Sequence, residues 1–141
     1  MADTALTKKL QLKGRRLVLL NLPEHLDGLF PEDALHTDEM PENAEAVLGF
    51  AENKEQLDKL IRLILPRINP DALLWLAYPK KTSKHFQSDI TRDQGWGPLA
   101  AYDYEPVSQI ALDEDWSALR FKPFLLIDNP VRREKMIKAD E

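Results

Sequence analysis

ALLWLAYPKKTSKHFQSDITRD, residues 72–93, decides how the rest of the chain is read. Its first seven residues are apolar, and the run stops abruptly at Pro79, Lys80, Lys81, Thr82 and Ser83. A short apolar run closed by a turn signal reads as a strand buried on both faces, as in a parallel sheet covered by helices. The stretch therefore predicts a central strand, Ala72–Tyr78, that delivers a basic, hydroxyl-rich loop at its carboxyl end.

Upstream, Asn69 and Pro70 turn the chain into this strand, and the clearest helix precedes them. In residues 53–68, Leu57, Leu60, Ile61, Ile64, Leu65 and Ile68 recur at the spacing of one helical face. Asn53 is placed as the cap, with Gln56 completing a variant of the capping box. Pro66 removes a ladder bond, so regular helix should fade near Leu65. Two further apolar runs, Arg16–Leu22 and Ala44–Ala51, predict strands, the first stopped by Pro23. Between them, Glu24–Phe30 places Leu26, Leu29 and Phe30 on one face of a short helix. Residues 31–44 read as loop with a short edge strand near Leu35–Thr37, and residues 4–10 as a short helix capped by Asp3 or Thr4.

Downstream, Gly95, Gly97 and Pro98 break the segment 89–103, whose second helical part is expected at Pro98–Tyr102. Val107–Leu112 and Trp116–Lys122 flank the turn Asp113–Asp115 and alternate as an antiparallel hairpin, adding an antiparallel strand at one edge. The expected fold is α/β and Rossmann-like: a mostly parallel sheet of five to six strands, helices on both faces, and a C-terminal antiparallel hairpin. One domain should span residues 1–123, with 124–141 a C-terminal extension. There the patch FLLI should pack on the body, and the last ten residues should fray.

Composition narrows the function classes. A chain of 141 residues with 43% apolar and 30% charged residues suits one soluble domain. The lack of cysteine removes disulfides, thiolate zinc sites and a cysteine nucleophile, and suits a reducing cytoplasm. Neither a signal-type core nor a membrane-length apolar run is present, so a cytoplasmic protein without a membrane partner is expected. Residues 23–58 carry eleven acids against the single base Lys54, a balance of −10 within a net charge of −5. Such a surface keeps the protein soluble and repels phosphate backbones, so no nucleic-acid partner is expected.

Several motifs are shared, in this order, with one family. They are the basic-glycine segment KLQLKGRR before the first strand, the strand Trp75–Lys80 ending in Pro-Lys, Ser88–Ile90, and the Asp113–Ser117 turn. Over roughly residues 8–123 the chain resembles domain of unknown function 3052, a family of short bacterial proteins. The resemblance implies a bacterial α/β protein and no particular activity. The layout also looks like a pared-down methyltransferase fold.

The chemistry should lie beyond the carboxyl ends of the strands. Methyl-donor or dinucleotide binding needs a glycine-rich turn after the first strand, but that turn reads NLPEHLDG, so no cofactor is expected. Asp38 or Glu39 occupies the place of a ribose-binding acid within a loop full of acids. His25, His36 and His85 have no metal-site spacing, so no metal is expected. Ser83, His85 and Asp89 hold nucleophile, base and acid within one loop, but sequence closeness rarely supplies triad geometry and no catalytic residue is assigned.

Lys80, Lys81, Lys84, Arg92 and Arg120 form the best basic constellation, with hydroxyls from Thr82, Ser83 and Ser88. Mobile ammonium groups and a guanidinium fork suit phosphate or carboxylate. The alternative is a solvated loop paired with Asp89 and Asp93. Trp116 reads either as a core aromatic anchoring the hairpin or as a stacking wall beside that loop. The candidate ligand site is therefore Lys80, Lys81, Ser83, Arg92, Trp116 and Ser117. Three classes remain open: a non-enzymatic binding module for a small anionic ligand or protein partner, a divergent methyltransferase-like enzyme or hydrolase, and an assembly subunit.

Overall fold

The computed structural model describes residues 8–84, 88–90 and 96–124. Expectations for residues 1–7, for 85–87 and 91–95, and for the extension beyond Phe124 fall outside them. The strands are β1 (Leu17–Leu20), β2 (Leu35–Thr37), β3 (Ala46–Phe50), β4 (Leu73–Pro79), β5 (Tyr104–Ala111) and β6 (Trp116–Pro123). Among the described residues, the helices bounded on both sides are α1 (Lys54–Ile64) and a single turn, α2 (Gly97–Ala100), with a 3-10 turn at Glu24–Leu29; Lys8 and Lys9 are also helical.

Among the described residues, the strands form one six-stranded sheet in the order β2-β1-β3-β4-β6-β5. Strands β1 to β4 pair in parallel, and β6 is antiparallel to both of its neighbours. The sheet is Rossmann-like and mostly parallel. Its one antiparallel strand departs from expectation: β6 lies inside the sheet, and β5, running with β1–β4, takes the edge. The physical reason is burial. β6 is apolar enough to be covered on both faces at Trp116–Leu119, whereas β5 exposes Ser108, Gln109 and Ala111.

Side chains alternate between two cores. Val18, Val47, Leu74, Leu76, Leu119 and Phe121 meet α1 and Trp96 on one face. Leu17, Leu19, Leu48, Trp75 and Trp116 meet Leu10, Leu26 and Phe30 on the other. Trp75 ties the N-terminal segment down, its indole Nε1 donating to the Leu10 carbonyl at 3.0 Å. Buried on both sides, β1, β3 and β4 carry no charged side chain.

The helix α1 follows its sequence signals. Asn53 Oδ1 accepts from the Gln56 backbone N–H at 2.9 Å. The return bond goes to Glu52, one residue earlier than in the usual box, where Gln56 Oε1 accepts its N–H at 2.9 Å. Leu57, Leu60, Ile61 and Ile64 are buried, and the helix ends before Pro66. Gly49 sits beneath Leu60 and lets the helix lie close to β3.

Two differences from the sequence reading bear on the site. β1 stops at Leu20, not Leu22, because Asn21 turns the chain with φ 59°. Residues 38–45 alone cross from β2 to β3, although a parallel crossover usually takes a dozen residues and a helix. Met40 and Ala44 from this loop pack on the core in place of a helix.

Candidate functional site

The sheet's order reverses between β1 and β3, since β2 lies to one side of β1 and β3 to the other. In open parallel sheets the crevice outside that point is where ligands settle. Two clefts open there. One, of about 450 Å³, is lined by Asn21, Pro23, Phe50, Glu52, Lys59 and Trp116, among others. The other, of about 330 Å³, lies over β1 and β2 and is lined by Asn21, Glu24, His36 and Asp38, among others. Asn21 borders both.

The local chemistry of these clefts differs from a phosphate cradle. The turn after β1 is made by Asn21 in the left-handed region, which asparagine tolerates better than most residues. It achieves the sharp bend that glycine usually provides, but it adds a side chain to the turn where glycine would leave the backbone bare. Pro23 precedes the 3-10 turn and has no N–H to offer. At the start of α1, the N–H of Lys54 donates to Asp89 Oδ1 at 2.7 Å, and that of Gln56 to Asn53. Protein oxygens therefore occupy donors that could otherwise meet an anion.

Trp116 forms one wall of the larger cleft. Its ring meets Phe50 edge-on at 5.5 Å and 73°, and Phe50 meets Phe30 at 6.2 Å. At 1% exposure, it shows the cleft only a margin of the ring.

The sequence-derived site is partly gathered at the same edge. Pro79 pairs with Trp116 and Tyr78 with Ser117 across β4 and β6. The Lys80 N–H donates to the Asp115 carbonyl at 2.7 Å, and Ser83 Oγ donates to Asp115 Oδ1 at 2.8 Å. The loop after β4 and the hairpin turn thus touch. Strand alternation, however, turns Trp116 and the buried Ser117 to opposite faces of β6. Lys81 is exposed, Lys80 is half-buried, and Arg92 lies outside the described residues. Arg120 sits away from this edge, beside Gln11, and burial together with Arg15 pushes its pKa down. Of the loop residues read as nucleophile, base and acid, Ser83 bonds Asp115 and Asp89 bonds α1, while His85 lies outside the described residues.

Spacing gave no sign of one grouping. His25 Nε2 stands 3.5 Å from Asp113 Oδ2, and Asp115 joins them. Their positions are far apart in sequence, so only the contact between the 3-10 turn and the hairpin turn reveals it.

No protein-family model matches the chain, and no curated protein matches it. Among solved structures it is similar to an O-methyltransferase from a trans-AT PKS multienzyme of Brevibacillus brevis, in complex with S-adenosyl-L-homocysteine. That match has 10% identity and a TM-score of 0.57, over 94% of this chain and 76% of that one. It is also similar to a protein in the NADB-Rossmann superfamily from Streptococcus agalactiae, at 11% identity and a TM-score of 0.50, over 87% and 69%. A third likeness is to LepI in complex with SAM, at 11% identity and a TM-score of 0.51. The chain spans 39% of LepI's length. At these identities the likeness is one of fold. Among the described residues, no helix is long and apolar enough to cross a membrane.

Proposed function

We propose that this chain is a non-enzymatic binding module that holds a small ligand at the carboxyl edge of its sheet. On this reading it belongs with domain of unknown function 3052 and works in the cytoplasm. The observation that carries the proposal is the pair of clefts at the strand-order reversal, joined at Asn21. Crevices at this point of an open α/β sheet are ligand sites on general grounds. The replacement of a glycine-rich turn by Asn21 and the capping of α1 by Asp89 favour holding a ligand over activating a phosphate or a methyl donor.

An anionic group of that ligand would meet Lys80 and Lys81 on the loop beside Trp116, with the Ser83 hydroxyl and Arg92 as further donors. Asp113, Glu114 and Asp115 stand close by, so the positive field there is local, and binding should be salt-sensitive. Ser117, on the opposite face of β6 from Trp116, would support the strand rather than share one small ligand with it.

The test is an amide-shift screen of the full chain against nucleotides, S-adenosylmethionine and small phosphates. The proposal expects shifts at Asn21, Glu52 and Trp116. A ligand that moves only distant residues would argue against the clefts.

A second reading, a divergent methyltransferase-like enzyme, is favoured by one observation. Asp38 follows β2 directly and lines the smaller cleft, where an acid can accept from ribose hydroxyls. Calorimetric titration with S-adenosylmethionine separates the two. Low-micromolar affinity would promote the enzyme reading, and no heat would leave the binding module.

A further inference from the structure

The 3-10 turn and the hairpin turn meet beside the larger cleft, and their contact brings together three side chains of mixed chemistry. His25 reaches from the first turn, with Nε2 3.5 Å from Asp113 Oδ2. Asp115 supplies a second carboxylate, and one donor atom from each residue lies within 4.8 Å of the other two. Two ligands about 2.0–2.2 Å from a tetrahedral ion stand roughly 3.4 Å apart. The histidine–aspartate separation matches that edge.

The carboxylates are oriented from behind. Asp113 Oδ1 accepts from the backbone N–H groups of Asp115 and Trp116, both at 2.8 Å, and its Oδ2 is the oxygen turned toward His25. Asp115 Oδ1 accepts from Ser83 at 2.8 Å, and the Asp115 carbonyl holds the Lys80 N–H at 2.7 Å. Such outer contacts fix ligand carboxylates in metal sites.

We infer that His25, Asp113 and Asp115 form a binding site for one divalent first-row transition ion, with zinc as the probe. An imidazole among the donors selects such ions over magnesium and calcium, which prefer oxygen alone. The two carboxylates balance the ion's charge and offset the lysines on the neighbouring loop. The remaining coordination positions would be filled by water, as the side chains are half-buried or exposed. Pro23 and Trp116 both line the cleft, one close in sequence to His25 and the other adjacent to Asp115. An ion here ties two walls of the cleft together.

The test uses the full chain, stripped with a chelator and titrated with zinc by calorimetry while amide shifts are followed. The expected result is about one ion per chain, with shifts centred on residues 25 and 113–116. His25→Gln and Asp113→Asn should each weaken binding at least tenfold. Asp113→Asn keeps an oxygen for the turn's backbone donors, so the hairpin should stay folded. His36→Gln, on β2, should bind zinc as the unaltered chain does. Undiminished affinity in His25→Gln, an equal loss in His36→Gln, or magnesium binding as tightly as zinc would overturn the site.

Discussion

A β-carbon built on Gly49 stands 2.7 Å from Cδ2 and 3.1 Å from Cγ of Leu60, so any larger residue on this strand position requires the Leu60 side chain on α1 to shift. Leu60 is 2% exposed and packs in the core between α1 and the sheet. Gly49→Ala should therefore destabilise the protein by roughly 1–3 kcal/mol through overpacking. In a Leu60→Ala background the same change should cost far less, because the clash is gone. Equilibrium denaturation of the four proteins in the cycle measures the coupling, and strictly additive effects would show that the close approach is not what matters.

The helix itself can be weakened from its end or from its face. Asn53→Ala removes the acceptor of the Gln56 N–H and should cost about 1 kcal/mol. Ile64→Ala empties a fully buried position and should cost about 2–5 kcal/mol. Chemical unfolding should rank the two in that order. A larger loss for Asn53→Ala would mean that the cap also anchors the Asp89 loop on α1.

High pH should expose Tyr104. Burial pushes its phenol above the ordinary value of 10.0, and the residue is 6% exposed. A raised folded-state value means that the folded chain keeps its proton longer than the unfolded chain does. The stabilisation is thus complete below pH 10 and is lost as pH rises through the folded-state value. Tyr104→Phe should flatten the fall in thermal stability above pH 10. An unchanged fall would assign it to other groups.

The lysine loop offers a direct test of the anion reading. The double change Lys80→Ala with Lys81→Ala should abolish amide shifts induced by inorganic phosphate. It should change stability by no more than about 1 kcal/mol, since Lys81 is exposed and Lys80 is half-buried, and charges in contact with solvent contribute little. Shifts that persist unchanged would remove the loop from the site.

Much of the fold was legible because its determinants are local. The strand β2 at Leu35–Thr37 and the capped helix on Leu57, Leu60, Ile61 and Ile64 follow from periodicity and turn chemistry. The interior place of β6 was not legible. Alternation in a hairpin reveals that two strands pair, but not which of them the rest of the sheet will choose. The early end of β1 depended on Asn21 adopting a left-handed conformation, an option that composition permits without requiring. At the site, strand direction placed the Lys80 loop and the hairpin turn on one edge of the sheet, while their contact depends on β6 lying beside β4. The cleft lined by Asn21, Phe50 and Trp116, and the meeting of His25 with Asp113, depend on contacts between segments distant in sequence.

The antiparallel insertion also sets an order of events during synthesis. β5 leaves the ribosome before β6, yet its ladder bonds run to β6 and not to β4. Until Trp116–Pro123 emerges, the nascent chain carries β4 with one side unpaired, a row of seven buried-type residues from Leu73 to Pro79. An apolar strand edge of that length is a template for pairing with another chain. Among the described strands the last one made is therefore the one that closes the sheet, and a chain interrupted between Ala111 and Trp116 would be more prone to aggregate than one interrupted after Pro123.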